Sequence, residues 1–266
     1  MSEPLVVQRD GAVAEVHLHR PDKHNALDWP LFEALVHTGR ELAADRSLRA
    51  VVLCGDGPSF CSGLDYPAMM QQPDAFKQGF SRAEGAQANF VQEAAWVWKQ
   101  MPVPVLCAIH GACFGGGIQI ALAADLRFAT PDARLSVMEI KWGLIPDVTG
   151  TATLRELVRL DVAKDLTYSG RIVSGEEALT LGLVTRLETD PLAAARAYAA
   201  DLCQKNPEAL RLGKQLLDAN WNEPDASTVL AREQELQLKL LGSKNQQEAA
   251  KAALTKTLPD FDDSRF

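Results

Sequence analysis

A glycine-rich turn between a buried strand and a short helix constrains the fold of this chain more than any other feature. The apolar residues 103–109 predict a strand, which leads into the run GACFGGGIQIALAADLRFAT. Consecutive glycines let the backbone turn sharply and approach other groups closely. The first N–H groups of the following helix are unpaired and lie at the positive end of its dipole. The turn therefore suits a developing negative charge, although packing alone is a second explanation.

Familiar phosphate-binding patterns do not account for this turn. A dinucleotide-binding turn has GxGxxG after a strand, and a P-loop has Lys-Ser or Lys-Thr after its last glycine. The run contains neither pattern. Stabilisation of an anion that forms during a reaction is the functional interpretation that remains.

The other local patterns predict a layered α/β fold. Strands are predicted at residues 6–8 and 13–19, joined by Asp10-Gly11, and at residues 50–54 and 134–138. Asp28 is a good N-cap for an amphipathic helix, and residues 86–100 predict another. Residues 67–85 predict a loop or loose helix beside a ligand site. From about Thr151 the chain is largely helical, and the alternation before it favours βαβ crossovers.

The last third of the chain predicts self-association. Four leucines fall in one predicted helix: Leu230, Leu236, Leu240 and Leu241. A helical appendage alone cannot bury that much apolar surface. We therefore expect a homo-oligomer.

Charge and composition disfavour several partners. The 266 residues carry a net charge of -8, with an isoelectric point near 5.2. Nucleic-acid binding needs a basic surface, so neither nucleic acid nor an anionic membrane is expected. No run approaches 18 apolar residues and the N-terminus lacks a signal-peptide core, so a cytoplasmic location is expected.

Cysteine and histidine spacing predicts no metal site. The five cysteines are odd in number and lack CxxC spacing, as expected of reduced, buried thiols. His17 and His19 would share a strand face, but two histidines alone are a poor metal site. We expect no metal and no cofactor.

A second small-residue segment, PSFCSGLD at residues 58–65, follows the strand predicted at residues 50–54. Its glycine and small side chains expose backbone N–H groups in a turn. Ser62 as a nucleophile is an alternative, but GxSxG is absent and no histidine lies nearby in sequence.

Four runs together resemble the crotonase superfamily, the enoyl-CoA hydratase/isomerase family. They are RPDKHNAL, SFCSGLD, GACFGGGIQIALAADLRFA and MEIKWGLIP, in that order along the chain. The resemblance covers roughly residues 5–200. It implies an α/β fold with a repeated ββα spiral core, assigned here to residues 1–200. Residues 201–266 would be a helical region that builds trimers, often paired into hexamers.

The resemblance also implies a shared chemistry. Two peptide N–H groups, those of Leu64 and Gly116, would stabilise the enolate oxygen of an acyl-CoA thioester. The substrate, which includes coenzyme A, would be bound by residues of three segments: Lys23, His24, Ala26, Ser62, Gly63, Asp65 and Gln119. Coenzyme A itself would be held by those of the first two segments. Each preorganised donor of such an oxyanion hole contributes roughly 3–4 kcal/mol to catalysis.

The reaction depends on which carboxylates are present. Hydratases of this family carry two glutamates, and the first would fall on Gln119, an amide that neither accepts nor supplies a proton. The second falls on Glu139, which the resemblance makes a catalytic base. Apolar neighbours would raise its pKa into a useful range. A surface salt bridge is the alternative for Glu139.

Asp147, eight residues beyond Glu139, is the other candidate catalytic residue. The dienoyl-CoA isomerases of the family place a Glu and an Asp at this separation, although they also have an acidic residue where this chain has Gln119. The 4-chlorobenzoyl-CoA dehalogenases have a nucleophilic aspartate at a similar position. A helix N-cap is the structural alternative for Asp147.

We therefore expect double-bond isomerisation of an enoyl- or dienoyl-CoA. Hydration, hydrolysis, dehalogenation or carbon–carbon cleavage on the same scaffold are alternatives. A non-catalytic acyl-CoA-binding or RNA-associated member is a third possibility, and its RNA form conflicts with the acidic charge.

Overall fold

A six-stranded sheet and a smaller three-stranded sheet organise the core. The computed structural model describes residues 3–266, apart from the side chain of Phe76. The strands are β1 (Leu5–Asp10), β2 (Val13–Leu18), β3 (Ala50–Gly55), β4 (Val105–Ile109), β5 (Ala112–Phe114), β6 (Leu126–Ala129), β7 (Arg134–Ser136), β8 (Val173–Ser174) and β9 (Arg186–Leu187). The large sheet has the order β1-β2-β3-β4-β6-β9 and the small one β5-β7-β8.

Helices surround the sheets and form most of the chain after Thr149. They are α1 (Trp29–Ala44), α2 (Tyr66–Met69), α3 (Pro73–Gly79), α4 (Phe90–Lys99), α5 (Gly116–Ala123), α6 (Gly150–Leu157), α7 (Leu160–Ser169), α8 (Gly175–Leu181), α9 (Pro191–Cys203), α10 (Pro207–Asn220), α11 (Ala226–Leu240) and α12 (Lys244–Thr255). Short 3-10 helices cover Pro21–Lys23 and Glu139–Trp142. No helix within residues 3–266 is both long enough and apolar enough to cross a membrane.

The predicted hairpin is confirmed and begins the large sheet. β1 pairs antiparallel with β2, and Gly11 in the turn has φ +55°. All later pairings in this sheet are parallel. Every residue of β2 is buried because one of its faces packs toward α1 and the other toward α9. The strands predicted at residues 50–54 and 103–109 are β3 and β4.

The predicted start of α1 is also confirmed. The Asp28 carboxylate accepts a hydrogen bond from the Leu31 N–H at 3.0 Å, as an N-cap should. The apolar stripe of α1, including Leu35 and Val36, is buried in the main core. Residues 67–85, predicted as a loop or loose helix, contain most of the short helix α2 and all of α3.

Several predicted segments have different bounds or contents in the structure. The strand expected at residues 134–138 ends at Ser136, since Met138 already caps a 3-10 helix. The helix expected at residues 86–100 starts at Phe90, where Asn89 and Gln92 form a capping box. Strand β5 lies within the expected glycine turn, because pairing with β7 extends this segment.

The C-terminal helices leave apolar side chains in solvent. Leu236 is buried, whereas Leu230 and Leu241 are 61% and 57% exposed. Helix α9 packs on the large sheet, so the boundary predicted after residue 200 falls inside it. Self-association through this region, and the division of the chain at that point, remain predictions.

The close packing of α1 on α4 can be tested by a substitution at Gly39 in α1. A Cβ added at Gly39 would lie 2.5 Å from Cγ1 of Val97, a β-branched side chain with little freedom to move. We expect Gly39→Ala to lower the free energy of unfolding by roughly 1–3 kcal/mol through overpacking. Urea unfolding at one protein concentration measures the change.

Gly213 in α10 is the matched control, because a Cβ there meets nothing within 4 Å. Gly213→Ala should raise stability by up to about 1 kcal/mol, since alanine favours the helix. Equal effects of the two substitutions would contradict the packing argument.

Candidate active site

A single cavity collects residues from six separate stretches of the chain. It encloses about 130 Å³ and is lined by mostly apolar residues. The lining comprises Leu27, Phe32, Ser62, Gly63, Leu64, Tyr66, Phe80, Val91, Phe114, Gly115, Gly116, Met138, Glu139, Trp142, Leu144, Asp147 and Val148. The two carboxyl groups in this lining are those of Glu139 and Asp147, the candidate catalytic residues predicted from the sequence.

Backbone pairing around Cys61 brings the two small-residue segments together. The Cys61 N–H donates to the Ala112 carbonyl at 3.0 Å, and the Phe114 N–H donates to the Cys61 carbonyl at 2.9 Å. A Cβ on Gly63 would lie 2.9 Å from the carbonyl oxygen of Phe114, and Gly63 has φ +91°. Glycine is therefore needed where the residue 58–65 segment meets the glycine-rich turn.

The predicted oxyanion-hole residues, Leu64 and Gly116, lie on this cavity. Gly116 is the first residue of α5, so its N–H has no acceptor one turn earlier in the helix. Within residues 3–266, the Leu64 N–H has no backbone acceptor either. Two free N–H donors on one apolar cavity are what a thioester oxygen requires. Their joint role remains a prediction.

Glu139 is the buried acid of the site. It is 8% exposed and begins the 3-10 helix, and a Cβ on Gly115 would lie 3.4 Å from its Oε1. Its Oε2 has no hydrogen-bond partner among the described residues. Burial raises the pKa of this carboxyl, and the nearby charge of Asp147 adds a smaller increase. The surface salt bridge considered from the sequence is wrong, because Glu139 is buried and makes no ion pair with a described residue.

Asp147 is a second carboxyl on the same cavity. Burial also raises its pKa. The capping alternative is wrong, since α6 begins at Gly150 and its N-cap residue is Thr149, without a side-chain cap. Sequence spacing predicted a helix start within a few residues but not the register of its first turn.

Gln119 lies behind Glu139 and not on the cavity surface. It is 1% exposed, on α5. Its Nε2 donates to Glu139 Oε1 at 2.5 Å, and its Oε1 accepts from the Val148 and Gly150 N–H groups, each at 2.8 Å. The sequence prediction grouped Gln119 with the substrate-binding residues. In the structure the hydrogen bonds of its amide are all made to other residues of the protein.

The predicted coenzyme A residues occupy two adjacent loops. The Ser62 N–H donates to the His24 carbonyl at 2.9 Å, and His24 Nδ1 lies 2.9 Å from Ser59 Oγ. Lys23 and His24 are exposed, and Ala26 is half-buried beside them. In these two loops only Ser62 and Gly63, of the predicted coenzyme A residues, line the cavity. The others form a rim outside it.

Two residues that hold these loops together were missed by the sequence prediction. Asn25 is fully buried, and its side chain donates to the carbonyls of Asp56 and Ser59 at 2.9 and 2.8 Å. Arg20 forms ion pairs with Asp28 and Asp65 at 3.0 and 3.1 Å. Both lie in the run RPDKHNAL. The asparagine in this run could have indicated a tight turn, because asparagine tolerates a positive φ and Asn25 has φ +54°.

An aromatic pair at the cavity was also missed. The rings of Tyr66 and Trp142 stack with centroids 5.8 Å apart and an interplanar angle of 15°. Both residues line the cavity and are partly exposed, so they stand between its interior and solvent. They come from segments 76 residues apart, and only the tertiary fold pairs them.

His17 and His19, considered above as a poor metal site, both contact the carboxylate of Asp56. His17 Nδ1 and His19 Nδ1 lie 2.8 and 2.6 Å from the two carboxylate oxygens of Asp56. His17 Nε2 lies 3.4 Å from Glu15, which is also paired with Arg196. These groups join β2 to the segment after β3.

Comparison with known proteins agrees with this architecture. The family model described as "Enoyl-CoA hydratase/isomerase" matches residues 8–264. The mitochondrial Delta(3,5)-Delta(2,4)-dienoyl-CoA isomerase of Mus musculus is 35% identical over 215 residues, which are 76% of this chain and 64% of that protein. The chain thus spans just under two thirds of that relative. A short-chain-enoyl-CoA hydratase of Clostridium acetobutylicum is 29% identical over 255 residues, 95% of each chain.

Solved structures show the same fold. A crystal structure of enoyl-CoA hydratase from Bacillus anthracis superposes with a TM-score of 0.88 at 27% identity, covering 97% of this chain and 98% of that one. The family-model match covers nearly the whole chain, including the four short runs that carry the resemblance. The chain belongs to the enoyl-CoA hydratase/isomerase family and has the crotonase fold.

Proposed function

We propose that this protein isomerises a double bond in an enoyl- or dienoyl-CoA thioester. One observation carries the proposal: Glu139 and Asp147 line the same apolar cavity, and burial raises the pKa of both carboxyls. Neither makes an ion pair with a described residue. Moving a double bond requires removing a proton from one carbon and delivering a proton to another, and two such carboxyls are suited to these steps.

The substrate's thioester oxygen would lie against the N–H groups of Leu64 and Gly116. As Glu139 removes a proton, negative charge develops on that oxygen, and each donor stabilises it by roughly 3–4 kcal/mol in a preorganised site. The acyl group would occupy the apolar cavity, where Phe32, Phe114 and Trp142 supply flat surfaces for a conjugated chain. Coenzyme A would lie along the rim formed by Lys23 and His24.

The isomerase relative supports a two-carboxyl mechanism. Its name describes the change of a 3,5-diene into a 2,4-diene, which removes a proton from carbon 2 and adds one at carbon 6. These carbons are too far apart for one small carboxyl to serve easily. In this chain Glu139 would remove the first proton and Asp147, in its neutral form, would deliver the second.

Hydration is the second candidate, and the hydratase relatives favour it. Glu139 Oε2 has no hydrogen-bond partner within residues 3–266 and could activate a water molecule. The amide of Gln119 occupies the position at which hydratases have the first of their two glutamates, and it cannot transfer a proton. Products of an enoyl- and dienoyl-CoA panel, identified by mass spectrometry, distinguish the two reactions.

Replacement of Glu139 tests its role as the base. Glu139→Gln should lower turnover about 10²–10⁴-fold, because the amide cannot accept the substrate proton. Incorporation of deuterium from heavy water at the α- or γ-carbon should disappear together with turnover. Acyl-CoA affinity, measured by calorimetry, should stay near that of the unmodified protein. Retained exchange would contradict the assignment.

Replacement of Asp147 separates the two proton transfers. Asp147→Asn should abolish product formation from a dienoyl-CoA but keep Glu139-dependent exchange at the first carbon. Mass spectrometry of substrate and product in heavy water measures both. A variant with full product formation would leave Glu139 as the only base and reduce the mechanism to a one-base isomerisation.

The raised pKa values predict the pH dependence. Glu139 acts in its ionised form, so kcat/KM should fall as the pH drops through its pKa, at a pH above the usual value of about 4.3 for glutamate. Asp147 acts in its protonated form, so activity should fall again as the pH rises through the pKa of that group. Exchange at the first carbon needs only Glu139, so in Asp147→Asn it should keep the acid limb and show no fall at higher pH. A fall in exchange at higher pH that persists in this variant would contradict the role of Asp147 as the titrating acid.

A further inference from the structure

The Gln119 side chain joins the two carboxyl-bearing parts of the site. Its Nε2 donates to Glu139 Oε1 at 2.5 Å, while its Oε1 accepts from the N–H groups of Val148 and Gly150, both at 2.8 Å. The three partners lie 20, 29 and 31 residues away in sequence. The environment leaves the amide one orientation, because two N–H donors require an oxygen and a carboxylate requires a donor.

The backbone that Gln119 holds is in an unusual conformation. Thr149, between the two bonded N–H groups, has φ +70°, which is rare for a β-branched residue. Such a conformation persists only where surrounding contacts enforce it. A Cβ on Gly150 would lie 2.6 Å from Gln119 Oε1, so glycine permits the close approach of backbone and amide. Asp147 directly precedes this clamped turn.

The same amide determines which oxygen of Glu139 is free. Oε1 receives the Gln119 hydrogen bond, and Oε2 has no partner among the described residues. Gln119 is 1% exposed and does not line the cavity, so it has no direct route to a substrate. Its influence on the reaction must pass through the residues that it holds.

We propose that Gln119 is a positioning residue that fixes Asp147 relative to Glu139 and leaves one oxygen of Glu139 free to take the substrate proton. The proposal rests on the isomerase function proposed above. Displacement of either carboxyl by about 1 Å can cost on the order of a hundredfold in rate. The chain thus uses the amide for geometry, at a position where the hydratases use a glutamate for proton transfer.

Two substitutions separate the contacts of the amide. Gln119→Met keeps the length of the side chain but removes both the donor and the acceptor, so the residue 147–150 turn and Glu139 are both released. Gln119→Glu can still accept from the Val148 and Gly150 N–H groups, but it places a second carboxyl beside Glu139. The two carboxyls would then share a proton and titrate as a pair.

The first test compares exchange with product formation. Gln119→Met should lower product formation roughly ten- to hundredfold, with KM changed little. Deuterium exchange at the first carbon should fall less, so the ratio of exchange to product should rise. Gln119→Glu should instead keep this ratio and move the acid limb of kcat/KM upward by about one pH unit or more.

The second test does not depend on turnover. Carboxyl titrations followed by ¹³C NMR in labelled protein, with Glu139→Gln to assign the signal, report the pKa of Glu139 directly. Both Gln119 variants should raise this pKa, one by loss of a donor and the other by addition of a carboxyl. If the titrations shift but no thioester is isomerised, the proposed function fails while the positioning role of Gln119 stands.

Asn245 provides a matched control for the loss of a buried amide. It is 4% exposed and bridges to Asp262, with Nδ2 donating to the carbonyl at 3.2 Å and Oδ1 accepting from the N–H at 3.0 Å. Asn245→Leu should lower stability without altering the exchange ratio or the Glu139 titration. Gln119 variants that fold, by circular dichroism, and behave like Asn245→Leu would overturn the proposal, as would an unshifted titration in Gln119→Glu.

Discussion

The site depends on the backbone contact between Cys61 and strand β5. Two hydrogen bonds, near 3.0 Å, join loops that are about 50 residues apart in sequence. Side chains are nearly excluded from this junction, since a Cβ on Gly63 or Gly117 would meet neighbouring atoms at 2.9 or 2.7 Å. Because the junction is built from backbone, it can present peptide N–H groups to the cavity, and donors held so firmly need no reorganisation during a reaction.

Buried and partly buried acidic residues of the protein differ in their partners. Asp28 and Asp65 pair with Arg20, and Glu15 pairs with Arg196, whose hydrogen bonds lower the Glu15 pKa. Those groups hold loops and helices in place. Glu139 and Asp147 have no cationic partner among the described residues, and burial raises the pKa of each. Carboxyls that a fold buries without charge compensation are candidates for proton transfer, because burial raises their pKa and makes the protonated form easier to reach.

The sequence predicted which residues belong to the site better than it predicted their burial and their contacts with one another. Helix α1, its Asp28 cap and the hairpin were predictable because each depends on contacts within a few residues. Glu139 was found from a motif and an apolar neighbourhood, but its surface alternative could be dismissed only once its burial was known. The sequence could not exclude Asp147 as a helix cap, because capping depends on the exact residue at which the helix begins. The observed N-cap is Thr149, two residues after Asp147.

Strand β5 and the role of Gln119 were beyond local patterns. A three-residue strand inside a glycine-rich run has no periodicity to detect, and it exists because β7 and Cys61 supply its hydrogen bonds. The sequence alone determined where the backbone can turn closely, where helix α1 begins, and that a carboxyl would accompany a potential oxyanion hole. The tertiary structure alone decided that the Gln119 amide faces Glu139 on one side and the residue 148–150 turn on the other. The physical reason is that hydrogen-bond direction and burial belong to groups brought together from distant parts of the chain, and no single segment carries that information.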